Sequence, residues 1–185
     1  MKNTAVWARD LARKHLERPL PRRWAHTQGV ARQARGLAPI LGNQADLLEA
    51  SAWLHDIGYA PDLVATGFHP LDGARYIRDT HRADDHLCRL VAHHSCALIE
   101  ARMRCLATEL ALEFPPMGPV LRNALTYCDM TTTPDGLPVE VATRVAEIRN
   151  RYGPSDIVTN FINEAERELR SAVQEIERSL QRNTL

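Results

Sequence analysis

An imidazole and a carboxylate stand side by side at His55 and Asp56, at the end of the apolar segment Ala50–Tyr59. Burying a carboxylate without a partner is costly, or forces the group to become neutral. A divalent cation removes that cost for both side chains, because histidine nitrogens and carboxylate oxygens are common metal ligands. The pair therefore predicts a metal site.

Further residues of ligand type are spread along the chain on both sides of this pair. They are His26 upstream and His69, His93, His94 and Asp129 downstream. A mixture of imidazole and carboxylate favours iron, manganese, cobalt, nickel or zinc over magnesium or calcium, which prefer oxygen ligands. The set is larger than a single tetrahedral ion requires, so it favours two divalent transition-metal ions that share a bridging group.

Each of these residues also has an interpretation without metal. His26 could be a hydrogen-bonded histidine of the core, and His69, which precedes Pro70, could cap a helix. His93 and His94 would point about 100° apart on a helix, so that one could face away. His94 could then support a ligand or contact the substrate instead of binding metal. Three histidines outside the pattern are expected at the surface, namely His15, His81 and His86.

Composition predicts a globular protein of one domain, residues 1–185, with 44% hydrophobic and 25% charged residues. The formal net charge of zero gives no reason to expect a nucleic-acid-binding protein or a membrane-surface protein. No apolar stretch is long enough to span a membrane, and charge interrupts the N-terminal segment too early for a signal peptide. The four cysteines lack the close pairing of a zinc ribbon and are expected to be reduced, which favours the cytoplasm.

Apolar periodicity predicts an all-α fold with no convincing strand. A C-terminal helical extension, 138–182, contains a long amphipathic helix from about Ser155 to Leu180 that would cover the core or a second copy of the chain. A homodimer is therefore compatible with the pattern. The other helices are predicted at about 4–17, 22–41, 44–56, 69–80, 84–95, from after 105 to 114, and 120–130, with a loop over 131–138.

The order of the ligand-type residues resembles that of the HD-domain superfamily of metal-dependent phosphohydrolases, over a motif core of about 22–132. Four segments besides the His-Asp pair are similar to motifs of that family: Arg22–Val30, the His-Pro-Leu-Asp-Gly-Ala run at 69–74, Val-Ala-His-His-Ser at 91–95, and Tyr-Cys-Asp-Met-Thr at 127–131. The resemblance implies an HD-type helical bundle. It also implies hydrolysis of a small soluble phosphoester, most plausibly a nucleotide, by attack of a metal-bound hydroxide on phosphorus.

The resemblance further implies a distribution of ligands between the two ions. His26, His55, Asp56 and Asp129 would hold the first ion, and Asp56 would bridge to a second. The second ion would be held by His69, His93 and His94, with Asp56 and His94 closest to the chemistry. The first-histidine motif and the short interval between Asp56 and His69 are similar to bacterial HD hydrolases of dinucleoside tetraphosphates.

One departure from the family concerns the phosphate-binding cation. Many relatives carry a lysine shortly after the His-Asp pair, whereas this chain has Tyr59 and no lysine nearby. Arginines are the natural replacements, because their guanidinium groups bind phosphate through paired hydrogen bonds. The predicted substrate-binding residues are Arg22, Arg23, Arg75 and Tyr59, with Arg78 a further candidate.

Two other functions fit the same ligand types. Some HD-domain proteins hold two irons with four histidines and two aspartates and oxidise C–H bonds with oxygen. A non-catalytic protein could use the metal as a structural or sensing element, with its C-terminal helix as a partner surface. Iron with a mixed-valence signature and no phosphate release would favour the oxygenase.

Overall fold

α-Helices joined by short turns form most of residues 4–183, which are the residues that the computed structural model describes. The first three and last two positions of the predicted domain lie outside them. Within 4–183 the structure has no strand, apart from one isolated bridge between Thr132 and Pro138, so the predicted all-α class is confirmed. The helices are α1 (Thr4–Leu16), α2 (Pro21–Gly36), α3 (Ala38–Leu41), α4 (Ala45–Leu54), α5 (His69–His81), α6 (Asp85–His93), α7 (Ala97–Met103), α8 (Ala107–Glu113), α9 (Pro119–Met130), α10 (Val141–Tyr152) and α11 (Ile157–Asn183).

Proline marks the beginning of several helices. It occupies the first turn of α2, α3, α5 and α9, where its missing N–H would have no helical partner. The predicted position of Pro70 in the first turn of α5 is thus confirmed. Asp84 caps α6 by accepting a hydrogen bond from the His86 amide at 2.9 Å.

The structure differs from the predicted helices at four places. The helix predicted over 22–41 breaks at Leu37, and α7 and α10 were not predicted as separate helices. α10 gave a weak signal because it is rich in polar residues and one of its buried side chains is the arginine Arg144. The helix predicted over 84–95 ends at His93, because His94 has an extended backbone and Ser95 and Cys96 are left-handed, with φ of 46° and 61°.

The core is divided into two hydrophobic clusters. The larger lies among the helices from α1 to α9 and includes Ile176 of α11; within it α4 packs against α1 and α2, and α5 packs against α6. The smaller joins α10 and α11 to Ile99 and Met130. Most of the apolar stripe of α11 is buried against its own chain, namely Phe161, Ala165, Leu169, Ala172, Val173 and Ile176. This packing explains the stripe without a second subunit.

One surface prediction was wrong. His15 is buried, with Nε2 2.9 Å from the Tyr76 hydroxyl and Nδ1 3.0 Å from an Asp62 carboxylate oxygen. His81 is partly buried beside the same tyrosine, whereas His86 is exposed as expected. Across residues 4–183, no helix combines the length and the apolar character that crossing a bilayer requires.

Candidate metal centre

Six of the seven predicted metal ligands converge in the middle of the bundle, in two groups of three. We call them the first group, His26, His55 and Asp129, and the second group, Asp56, His69 and His94. Within each group one potential ligand atom per residue lies within 4.8 Å of the others. The side chains come from α2, from the end of α4 and the turn after it, from the beginning of α5, and from the ends of α6 and α9.

The Asp56 carboxylate joins the two groups. Its Oδ2 lies 3.3 Å from His55 Nε2 and 3.9 Å from His26 Nε2, in the first group. Its Oδ1 lies 3.4 Å from His69 Nε2 and 4.0 Å from His94 Nε2, in the second. Ligands that share an ion through bonds of about 2.0–2.1 Å have separations close to these values. One oxygen therefore faces each group, as a bridging carboxylate requires.

Backbone carbonyls fix the orientation of three imidazoles. His26 Nδ1 lies 3.0 Å from the Thr133 oxygen, His55 Nδ1 2.8 Å from that of Ala52, and His94 Nδ1 2.7 Å from that of Val91. Because a carbonyl oxygen can only accept, each Nδ1 must carry the proton and donate it. Each Nε2 is then left with a lone pair directed into the site.

These lone pairs lack ordinary partners. His55 Nε2 is buried and has no hydrogen-bond partner within residues 4–183. The Nε2 atoms of His69 and His94 face each other at 3.1 Å, and His26 Nε2 lies 3.0 Å from Asp129 Oδ1. Acceptors at these distances need a proton or a cation between them. The donor set therefore fits divalent transition-metal ions.

Electrostatics keeps most of the site in its metal-binding form. Burial raises the pKa of Asp56, but Arg23 and His55 outweigh burial and hold that pKa well below its usual range. Burial likewise opposes ionisation of Asp129, but the pKa of Asp129 is nevertheless lowered, chiefly by the His26 imidazole beside it. Burial lowers the pKa of His69 and His94 and so favours neutral imidazoles. Ionised carboxylates and neutral imidazoles are the forms that bind metal.

A close backbone approach brings His69 to Asp56. A Cβ atom added at Gly58 would lie 2.1 Å from the His69 carbonyl oxygen and 2.6 Å from the Gly73 nitrogen. Glycine at 58 therefore allows the first turns of α5 to pack directly on the turn after Asp56. The buried Asp72 carboxylate orders the segment before His69 by accepting hydrogen bonds from the amides of Ala65, Thr66 and Gly67.

Asp129 is held by a residue that the sequence analysis did not identify. Ser95 Oγ donates a hydrogen bond of 2.5 Å to Asp129 Oδ2. Ser95 and Cys96 have left-handed backbones, which are uncommon for residues other than glycine and are found where surrounding structure imposes them. The only sequence feature that could have pointed to Ser95 as part of the site is its position directly after His94.

His93 is the predicted ligand that the structure does not bring to the site. Its Nε2 lies 2.5 Å from the Phe114 carbonyl oxygen, and it belongs to neither ligand group. The reason is the end of α6: His93 keeps the helical path, while the extended backbone of His94 carries the next imidazole into the cluster. Of the two neighbouring histidines, His94 faces the site.

Two of the predicted substrate-binding residues border the site. Arg23 Nη1 donates a hydrogen bond of 2.7 Å to Asp56 Oδ2, and its guanidinium group lies 4.0 Å from the Tyr59 ring centroid. The Tyr59 ring stacks on His69 with centroids 3.9 Å apart. Both residues line a cavity of about 80 Å³ above the ligand groups, which we call the metal cavity.

The other predicted substrate-binding arginines do not line the metal cavity. Arg22 is exposed and pairs with Asp135 at 2.9 Å. Arg75 pairs with Glu109 and Glu113 of α8, and Arg78 Nη1 lies 2.8 Å from Glu113. Sequence analysis did not assign five charged or aromatic residues of the cavity wall to the site, three of them on α10: Glu100, Arg144, Arg151, Tyr152 and Phe161.

The sequence was compared with protein families, with known proteins and with solved structures. The family model described as "HD domain" matches residues 23–128, more than half of the chain. Ribonuclease Y of Rubrobacter xylanophilus (strain DSM 9941 / JCM 11954 / NBRC 16129 / PRD-1) is 36% identical over 70 residues, which are 38% of this chain and 14% of that protein. The chain thus spans a small part of that relative's length. The comparison with solved structures gave no significant match.

Proposed function

Because the chain belongs to the HD domain family, we propose that it is a metal-dependent phosphohydrolase that acts on a small phosphoester. The first group and Asp56 would hold one divalent ion, and the second group would hold another. Bound ions of this kind acidify water, so that hydroxide is available at neutral pH, and stabilise negative charge on phosphoryl oxygens.

The observation that carries this proposal is the position of Asp56 between the two ligand groups. Its Oδ2 lies 3.3 Å from His55 Nε2 in the first group, and its Oδ1 lies 3.4 Å from His69 Nε2 in the second. Both separations suit two ligands that share one ion. Two ions held about a bridging carboxylate are a typical arrangement for displacement at phosphorus. With two aspartates as the anionic ligands, two dications leave the centre positively charged, which favours a phosphate oxyanion.

Arg23 strengthens the case for an anionic substrate. It is largely buried at the edge of the metal cavity and stays charged: burial lowers its pKa, but Asp56 and Tyr59 raise it further. A guanidinium group there can donate to a phosphoryl oxygen beside the bridging carboxylate. The Tyr59 ring contacts the Arg23 guanidinium group, at 4.0 Å from the ring centroid, and also stacks on His69, so it links Arg23 to a metal-ligand candidate.

The proposed substrate is a nucleotide, and a dinucleoside polyphosphate fits the motif resemblance. The name of the matched relative, Ribonuclease Y, indicates cleavage of RNA, which is also hydrolysis of a phosphoester. A short oligoribonucleotide is therefore a second candidate substrate for the same centre.

The diiron oxygenase is the main competing function. Without His93, the converging residues are four histidines and two aspartates, which is the ligand count of that alternative as well. The ligand count therefore does not separate the two reactions. The charged arginine beside Asp56 favours a substrate with negative charge, as every phosphoester has.

The proposal is tested by phosphate release from the chain loaded in turn with manganese, iron, cobalt, nickel and zinc. Mononucleotides, cyclic nucleotides, dinucleoside polyphosphates and a short oligoribonucleotide serve as substrates. In ¹⁸O-labelled water, hydrolysis by attack on phosphorus places the label in the phosphate product. Asp56→Asn, which keeps the shape of the side chain but removes its charge, should abolish turnover.

Two outcomes would contradict the proposal. One is the absence of hydrolysis with every metal and substrate combined with a mixed-valence iron signature, which supports the oxygenase. The other is undiminished hydrolysis by Asp56→Asn. A chain that binds metal but catalyses neither reaction would support the structural or sensing function.

A further inference from the structure

A second cavity lies next to the metal cavity and shares part of its wall. Its volume of about 300 Å³ is at the lower end of the range typical of small-molecule sites. Arg23, Arg144 and Arg151 line both cavities, and Arg22 lines the second one. We call this second space the arginine cavity.

The two cavities differ in charge. Asp56, Glu100 and Asp129 line the metal cavity, whereas the described lining of the arginine cavity contains no carboxylate. The remaining wall of the arginine cavity is formed largely by prolines and a leucine. Guanidinium groups on apolar walls bind anions more strongly than they would in open solvent, because the local dielectric is lower.

Arg144 has hydrogen-bonding capacity that its own chain does not use. Its side chain is 5% exposed, and its Nε is buried with no partner in residues 4–183. Its Nη1 pairs with Glu147, and the same carboxylate lies 3.5 Å from Arg151 Nε. One glutamate therefore neutralises two guanidinium groups, which leaves a surplus positive charge at the boundary of the two cavities.

We propose that the arginine cavity binds a second phosphate group of the substrate. The substrate is then a compound with a polyphosphate chain: the phosphorus that is attacked lies beside Asp56, and the next phosphate contacts Arg144 and Arg151. This inference rests on the proposed phosphohydrolase function for the first phosphate. It adds a binding site for a second phosphate, and therefore a preference for a nucleoside or dinucleoside polyphosphate over a monophosphate.

The selectivity would be a property of this chain and not of the matched domain as a whole. Arg144 and Arg151 belong to α10, which begins after the end of the family match at residue 128. α10 is anchored by Val145 and Ile148 in the smaller core cluster. The same packing that buries α10 therefore holds two arginines over the neighbouring metal centre.

The test compares binding of pyrophosphate and of inorganic phosphate to the full chain by titration calorimetry, after metal has been removed. We expect pyrophosphate to bind at least about tenfold more tightly than phosphate. Arg151→Gln, at a partly exposed position, should lower pyrophosphate affinity about tenfold or more, because a charge-assisted contact is lost. Arg144→Lys, which keeps the charge but not the guanidinium fork, should also weaken binding.

Arg149→Gln is the matched control, since it removes an arginine of α10 that pairs with Glu166 and Asn163 and lines neither cavity. Equal affinity for the two anions, or the same loss in Arg149→Gln as in Arg151→Gln, would overturn the inference. With metal restored, Arg151→Gln should raise KM for a nucleoside diphosphate about tenfold, a larger increase than for a monophosphate. Selective pyrophosphate binding without any hydrolysis would refute the proposed reaction but support the arginine cavity.

Discussion

Arg23 Nη1 lies 2.7 Å from Asp56 Oδ2, the carboxylate oxygen that faces His26 and His55. The guanidinium group therefore occupies a position beside the oxygen that would bridge to the first ion. A positive charge at that place repels a metal ion and attracts a phosphate group. Its removal should therefore raise the affinity for metal and lower the activity on a phosphoester.

We predict that Arg23→Gln increases affinity for Mn²⁺ about tenfold and lowers kcat/KM about 100-fold, as expected for loss of a charge-assisted contact to phosphate. Metal affinity is measured by calorimetry and turnover by phosphate release. Arg149→Gln is the control, because Arg149 pairs with Glu166 and lines neither cavity. A parallel fall of metal affinity and activity in Arg23→Gln would instead show a structural role.

The second prediction concerns the packing that places His69. Gly58→Ala should lower the free energy of unfolding by about 3 kcal/mol, since the methyl group meets backbone atoms of α5 that cannot rotate away. It should also reduce the metal content, because His69 would move from Asp56. Urea unfolding and elemental analysis measure the two effects.

Gly36→Ala provides the comparison, because a Cβ atom there meets nothing within 4 Å. That variant should keep its stability and its metal. Full metal content in Gly58→Ala would mean that the contact between Gly58 and α5 does not position the ligand.

The two neighbouring histidines should behave differently. His94→Ala should lose metal from the second group, whereas His93→Ala should keep the metal of the wild type. Loss of the contact between His93 and the Phe114 carbonyl should still lower stability by about 1–3 kcal/mol. Metal per chain, measured on folded protein of both variants, distinguishes them. Loss of metal in His93→Ala, with full metal content in His94→Ala, would show that His93 is the ligand.

Much of this site could be predicted because the types of the ligand residues, and their order along the chain, indicate a metal site. The six converging ligands and the all-α class follow from histidines, aspartates and apolar periodicity along the chain. The choice between His93 and His94 was not predictable, because it depends on where α6 ends and on the left-handed backbone at Ser95. α10 lies within the predicted helical extension but was not recognised as a separate helix, because a buried arginine gives no apolar signal, although Arg144 lines the metal cavity.

Arg75 shows a second reason why a prediction from the sequence can fail. Its position after His69 predicted a substrate contact, but the glutamates that engage it come from α8, far along the chain. Contacts between distant segments cannot be inferred from spacing alone. We therefore predict that Arg75→Gln leaves kcat/KM unchanged within about twofold, which phosphate release under identical metal loading would show. A large loss of kcat/KM would return Arg75 to the substrate site.

The same ion pairs predict a pH dependence of stability. Hydrogen bonds from Arg75, and next from Arg78, lower the pKa of Glu113 to about 2. Because the folded pKa lies below the unfolded value of roughly 4.3, the contribution is fully present above that unfolded value and is lost as pH falls toward 2. Glu113→Gln should cost about 1 kcal/mol near pH 7, a modest figure because the group is partly exposed to solvent.

Denaturant unfolding of the wild type and Glu113→Gln at pH 7 and at pH 3 measures this difference. The gap between the two proteins should be smaller at pH 3. A gap that stays constant with pH would show that the stabilisation by Glu113 does not depend on its charge.

Anomalous diffraction from crystals of the manganese-loaded chain tests the central claim most directly. We predict one manganese peak beside His26, His55 and Asp129 and another beside His69 and His94, with one Asp56 oxygen directed to each. Crystals that show no manganese at either group, although the protein has been saturated with the metal, would contradict the account.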